Sequence, residues 1–275
     1  MRFVKPAVFM TGKWVPIDSE IYKWLLFIGC SEEVADKYAY RYTGKTGAER
    51  GVELYGRRCY MSFEPGLNPN VQKIRTDIKA YIDNIMSSKH GSVLEHVTFT
   101  FNIENVSRVF TGEMNRHRAG VAISEGSMRF IRYNDIPIVD VPSIRADHES
   151  DPMLREKSYT RRAIESLCTN IEATYRGMVG TWSAILEGKE FAGKKHITSM
   201  LRRIIPMGVA TGGVWTFNIR ALRHMITMRV SPAAEEEILL VASMILERMM
   251  VEEPVLFGDF AKGEDGFWRP KYEKV

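Results

Sequence analysis

A chain of 275 residues with 45% hydrophobic content has ample material for one large core or two small ones, which excludes a disordered or fibrous class. Its formal net charge of +4 excludes a diffuse nucleic-acid coat but leaves local arginine clusters free to take a small anion. Cys30, Cys59 and Cys168 are odd in number and far apart, with no C-x-x-C pair or metal-ligand spacing, so a reduced cytoplasmic setting is the default.

No apolar run has the form of a signal h-region or the length of a membrane span, so a soluble protein is expected. In chain order, Ala7 to Met10 and Trp14 to Ile17 flank Gly12 and predict a hairpin. Ile21, Trp24, Leu25 and Ile28 mark a helix after Asp18-Ser19-Glu20, and Ser31 to Tyr42 reads as another. Ala39 to Thr46 meets the loosest phosphate-loop pattern, but lacks a buried strand before it and small residues in its turn; Gly44 is assigned instead to the end of the preceding helix. Val52 to Tyr60 is helical and Pro65 to Pro69 a break. Ile74, Ile78, Tyr81, Ile82 and Ile85 then form an amphipathic helix leading to Ser92, Glu95 and His96.

Val97, Phe99, Phe101 and Ile103 alternate with Thr98, Thr100, Asn102 and Glu104, the period of a strand with one buried face. Asn105 is placed to cap a helix whose stripe is Val106, Val109, Phe110 and Met114. Arg116-His117-Arg118 falls at the end of that helix, where cations are favoured, and Gly120 permits an exit turn. Ser124 to Phe130 follows, with Met128 and Phe130 suggesting a second short strand. Converging guanidinium forks suit phosphates and the imide edge of a pyrimidine, with Ser127 and the backbone around Gly126 as further donors, so the stretch reads as an anion-recognition loop. A solvated basic turn would carry the same residues.

Asp151-Pro152 starts a helix whose stripe runs from Ile164, Leu167 and Cys168 through Tyr175 and Trp182 to Ile185, a length suited to a scaffold or subunit contact. Arg202 and Arg203 close a short helix before Pro206. From Val214 to Met228 a helical pattern resumes, with Arg220, Arg223, His224 and Thr227 on one face. Asn218 lies about 200° away from Arg220 and lines up with Met225 and Arg229. Ser231-Pro232 begins the last strong helix, with Glu235, Glu236 and Glu237 in its first turn and Ile238, Val241, Ala242, Ile245, Leu246 and Met249 buried. The tail beyond Pro254 carries no chemical signal.

The combination resembles the flavin-dependent thymidylate synthase family, whose signature is Arg-His-Arg, seven or eight residues, then Ser; here eight residues separate Arg118 from Ser127. Gly56-Arg57-Arg58-Cys59-Tyr60, Ser92-Val93-Leu94-Glu95-His96, Arg202-Arg203-Ile204-Ile205-Pro206, Asn218-Ile219-Arg220 and Arg229 follow in the family's order. The resemblance implies an α/β (α+β) fold with an antiparallel-rich central sheet flanked by long helices. It implies a homotetramer with active sites between subunits, and a chain divided into an extension (1–45), a catalytic domain (46–255) and a tail (256–275).

It further implies methylation of dUMP to dTMP with methylenetetrahydrofolate as carbon donor and NADPH reducing a bound FAD, with no nucleic acid or membrane as partner. By matching positions, Ser92, His96, Arg116, His117, Arg118, Glu125, Asn218, Arg220 and His224 would hold FAD. Glu113, Arg116, Glu125, Gly126, Ser127, Arg129, Arg202 and Arg229 would hold dUMP. Arg229 is expected to stabilise negative charge on the uracil ring, and Ser127, with no visible base, to bind rather than attack. No thiolate is required, in keeping with cysteines that lack an activating motif. Glu113 stands where the family usually has Gln, and His224 where Asn is common. A nucleic-acid-binding module, with the arginine clusters on phosphates, is the competing class; a metal-dependent hydrolase using Glu125 or Glu113 lacks a ligand cluster.

Overall fold

The computed structural model describes residues 1–130, 135–146 and 150–275. Two short strands, β1 (Arg2–Val4) and β2 (Ala7–Lys13), open the chain, but not as the expected hairpin. β1 pairs in parallel with Pro137–Val139, whereas β2 runs antiparallel along Thr98–Ser107 and passes Gly12 in a register shift. A Cβ at Gly12 would lie 3.2 Å from Thr100, so close strand approach, not a turn, accounts for that glycine.

α1 (Asp18–Phe27), α2 (Glu32–Ala39) and α3 (Gly47–Tyr60) gather Leu25, Ala35, Tyr38 and Leu54 into a small core. α2 ends at Ala39, so Gly44 does not terminate it as the sequence suggested. The phosphate-loop-like run ends in a cap instead: Thr46 Oγ1 accepts from Glu49 N at 3.1 Å and donates to Glu253 at 2.5 Å. α4 (Ile78–Ser87) begins at the Asp77 cap, and a 3-10 turn, Gly91–His96, leads into the sheet.

β3 (Thr98–Ser107) buries Phe99, Phe101 and Ile103 on one face. It runs further than predicted: Asn105, at φ 56°, sits where the register against a neighbouring strand shifts, and the bulge turns Val106 inward. Ser107 is therefore the cap of α5 (Arg108–Met114), correcting the assignment of Asn105. β4 spans Val121–Glu125, while Met128 to Phe130 form a turn, not the expected strand, because Met128 is drawn into a second core. That core lies among β5 (Pro137–Val139), α6 (Leu154–Gly188) and α7 (Phe191–Leu201). Along α6, Cys168 and Tyr175 are buried, but Leu167 and Ile185 of the same predicted stripe are exposed.

β6 (Ala210–Asn218) replaces the first part of the predicted Val214–Met228 helix. It is an inner strand of a four-stranded antiparallel sheet ordered β2-β3-β6-β4, with Trp215 and Phe217 fully buried at period two. A Cβ at Gly213 would meet the Ser124 carbonyl at 2.7 Å, so β4 can pair there only with glycine. α8 (Ile219–Arg229) follows directly, with Asn218 as its cap. α9 (Glu236–Glu252) lays Ile238, Val241, Ile245 and Leu246 fully buried into the main core, each contributing about 1.5–3 kcal/mol. The tail is ordered as α10 (Pro254–Phe257), β7 (Phe260–Lys262) and β8 (Trp268–Pro270), and it returns to α8. The architecture is α+β, an antiparallel sheet covered by helices. No helix among the described residues is long and apolar enough to cross a membrane.

Candidate active site

The two basic segments meet where α5 ends and α8 ends. Arg229, in the last turn of α8, donates from Nε to His117 Nε2 at 3.0 Å and from Nη1 to Glu113 at 2.8 Å. The other Glu113 oxygen lies 3.4 Å from Arg116, so one carboxylate is shared by two guanidinium groups. Accepting from Arg229 leaves the His117 proton on Nδ1. Burial, then the Arg229 charge and the neighbouring His224, pushes the His117 imidazole down to about 4. At neutral pH the group therefore carries two cations, one anion and a neutral ring. Arg118 is exposed, with no ion-pair partner among the described residues.

Glu125, at the end of β4, is held by Arg108 and by Asn115 Nδ2 at 2.9 Å, and Asn115 in turn accepts from the Trp215 indole at 3.2 Å. Gly126 N donates to the Gly212 carbonyl at 2.8 Å, so the expected backbone donor there is already engaged by β6. The Ser127 hydroxyl accepts from Arg129 N at 3.4 Å and has no base beside it among the described residues. The Arg129 Nε is buried without a partner among the described residues. Arg202 is not among the partners of the Arg116 group. It lines a cavity of about 510 Å³ with Arg108, Asn115, Ser199 and Arg203, on the Arg108-Gly112-Asn115 face of α5.

On the other side, a cavity of about 220 Å³ is lined by Glu95, Gly120, Asn218, Arg220 and His224. A second, of about 290 Å³, is lined by Lys89, His90, Ser92 and again Arg220. Arg220 pairs with Glu95 at 2.6 Å and donates from Nε to the Val275 carbonyl at 3.0 Å. His96 is exposed and packs on Tyr55, ring centroids 4.9 Å apart, outside both linings. The face predicted for Arg220, Arg223, His224 and Thr227 divides: Arg223 is buried and bidentate to Asp259 at 2.7 and 2.8 Å, so it is a core residue with its counter-ion in the tail.

The profile of the family described as thymidylate synthase complementing protein matches residues 41–255. The flavin-dependent thymidylate synthase of Mycobacterium sp. (strain KMS) is 34% identical over 221 residues, covering 78% of this chain and 82% of the relative. That of Corynebacterium efficiens is 33% identical over 220 residues, covering 79% and 82%.

This chain belongs to the flavin-dependent thymidylate synthase family.

Family membership places it among the methyltransferases. A crystal structure of the UMP/dUMP methylase PolB from Streptomyces cacaoi, bound with 5-Br UMP, shares the fold at a TM-score of 0.63 and 16% identity, covering 94% of this chain and 95% of that one. In this thymidylate synthase-type chain, Cys30 and Cys168 are buried, and burial pushes the Cys30 thiol up to about 11 and raises that of Cys168, while Cys59 is exposed. Sequence reasoning missed Arg108, Asn115 and Trp215 as supports of Glu125. The spacing of Arg108, Gly112 and Asn115, at i, i+4 and i+7, is a signal that was there to be read. Nothing local linked Trp215 to them.

Proposed function

We propose that this chain methylates dUMP to dTMP, taking the carbon from methylenetetrahydrofolate and the hydride from NADPH-reduced FAD, in a homotetramer with active sites between subunits. The observation that carries the reading is the Arg229–His117 hydrogen bond, which joins the Arg-His-Arg loop to α8 in a chain of this family. The donor set fits an anionic dinucleotide: Arg116, Arg118 and Arg220 are exposed cations, and Ser92, Asn218 and His224 border the adjoining cavities. When bound and reduced, the flavin would supply the hydride.

Arg116, Arg129, Arg202 and Arg229 offer charge to a nucleotide monophosphate, and Arg229, oriented by Glu113 and His117, is the group assigned to negative charge on the uracil ring. Ser127 and Glu125 are assigned to orienting the nucleotide, and Gly126, its N–H held by the Gly212 carbonyl, to shaping the turn between them. Arg202 lines a cavity that Arg229 does not line, which fits a site completed by a second copy, and exposed Leu167 and Ile185 on α6 offer apolar surface for that contact. Two buried, high-pKa thiols support chemistry without a cysteine nucleophile.

The test is release of tritium from C5-labelled dUMP, with and without the folate and the reduced nicotinamide. Release that requires both is expected from a yellow protein. A colourless protein that binds oligonucleotides with steep salt dependence would replace this reading with the nucleic-acid one.

A further inference from the structure

We propose that the groove between α3, α4 and the 62–76 segment is the seat of the aminobenzoyl-glutamate tail of the one-carbon donor. This rests on the activity proposed above and names residues for a co-substrate whose contacts the family signature does not supply.

The groove is two adjoining cavities of about 460 and 290 Å³ that share Tyr60, Ile85 and His90. One end is Ser92 and Arg220, at the proposed flavin site; the lip at the other end carries Lys73 and Arg75. Among the described residues no aspartate or glutamate lines either cavity, whereas Lys73, Arg75 and Lys89 do, together with Arg220, which is already paired with Glu95. Lys73 and Arg75 are exposed and have no ion-pair partner among the described residues. An acid-free channel with cations along its length selects an elongated anion.

Its middle selects an aromatic ring. Tyr60 and His90 stack at 5.9 Å and 28°, and the Tyr60 hydroxyl lies 3.3 Å from His90 Nδ1, so together they present a fixed aromatic edge halfway along. The lip is fixed as well. Buried Arg57 donates to the Ser62 carbonyl at 2.8 Å and to the Arg75 carbonyl at 2.5 Å, tying both ends of the segment to α3 before any ligand arrives.

Carboxylates fit better than the phosphates of a nicotinamide dinucleotide. Phosphates are usually cradled by free amides at a helix N-terminus or a glycine turn. The neighbouring N-terminus, that of α4, is already capped by the Asp77 carboxylate, which accepts from Ala80 N at 2.6 Å and would repel a phosphate. Separate ammonium and guanidinium groups at an open lip instead match a chain carrying one carboxylate per glutamate and running out to solvent.

The test compares flavin-loaded wild type with the Lys73→Ala/Arg75→Ala variant. Calorimetric titration with pteroyl mono- and triglutamate is expected to show the triglutamate bound about three- to tenfold tighter by wild type, the range for two exposed charge pairs. The variant loses that preference, Lys73→Arg/Arg75→Lys keeps it, and added salt narrows it. In turnover, the variant's KM rises for the folate and stays unchanged for dUMP and NADPH. Equal chain-length preference in wild type and variant, or a KM that rises for NADPH instead, overturns the assignment. Absence of tritium release by wild type would count against the proposed activity alone, because chain-length-dependent binding is read without turnover.

Discussion

Arg229 and His117, 112 residues apart, are joined by a single hydrogen bond of 3.0 Å from guanidinium Nε to imidazole Nε2. Because the ring accepts, it stays neutral, and because Glu113 holds Nη1 at 2.8 Å, the guanidinium plane has one orientation. Arg229→Ala should lower kcat by about 10²–10³, the usual loss for a donor aimed at developing charge. Arg229→Lys should recover little, since one ammonium cannot reproduce the fork. Tritium release from labelled dUMP reads both.

Glu113 sets a carboxylate beside a proposed dianion, tolerable because Arg116 and Arg229 share it. Glu113→Gln keeps an acceptor for Arg229 and removes the like charge, so dUMP should bind about three- to tenfold tighter. Titration followed by the flavin spectrum measures it. Weaker binding would mean that the charge is needed to hold Arg229 in place.

The His117 ring, held down to about 4 by burial and by Arg229, makes stability depend on pH with a definite sign. As pH falls through 6.5 the unfolded chain takes up a proton that the folded chain refuses until about 4, so stability is lost across that window. The urea midpoint of wild type should fall more between pH 6.5 and 4 than that of His117→Gln. Parallel curves would show that the ring titrates normally.

Arg223 and Asp259 form a buried bidentate pair on the side of α8 away from solvent. Removing one partner strands the other, so Asp259→Ala should cost about 3–5 kcal/mol. Replacing both residues by apolar ones of similar volume should cost less. Urea denaturation of the two variants distinguishes them.

Cys59 is the exposed thiol of the three cysteines. A thiol reagent should modify one group in the native protein and three after denaturation. Cys59→Ser should keep turnover within about twofold, because no step is assigned to a thiolate. Loss of tritium release in that variant would reopen the case for a cysteine nucleophile.

Elements with a strong local period were legible before any coordinates. The β3 alternation and the buried stripe of α9 stand where hydrophobic spacing put them, and so do the helices of the first 87 residues apart from their ends: α2 stops at Ala39, α3 starts at Gly47, and Ile74 lies outside α4. Near-neighbour burial dictates them, and near neighbours are what a sequence displays. The Arg-His-Arg loop and the family signature were equally visible.

What needed the tertiary structure was every feature whose partner is remote. The run from Val214 reads as the start of a helix until β3 and β4 flank it and claim its backbone donors and acceptors. Arg223 reads as a surface cation until Asp259 arrives from the tail, and nothing near Glu125 in the chain shows that Arg108 and Asn115 hold it. Periodicity determined which faces are apolar. Only the folded chain, by bringing counter-ions together across more than a hundred residues as in Arg229–Glu113, decided which charges are structural and which remain to meet a ligand.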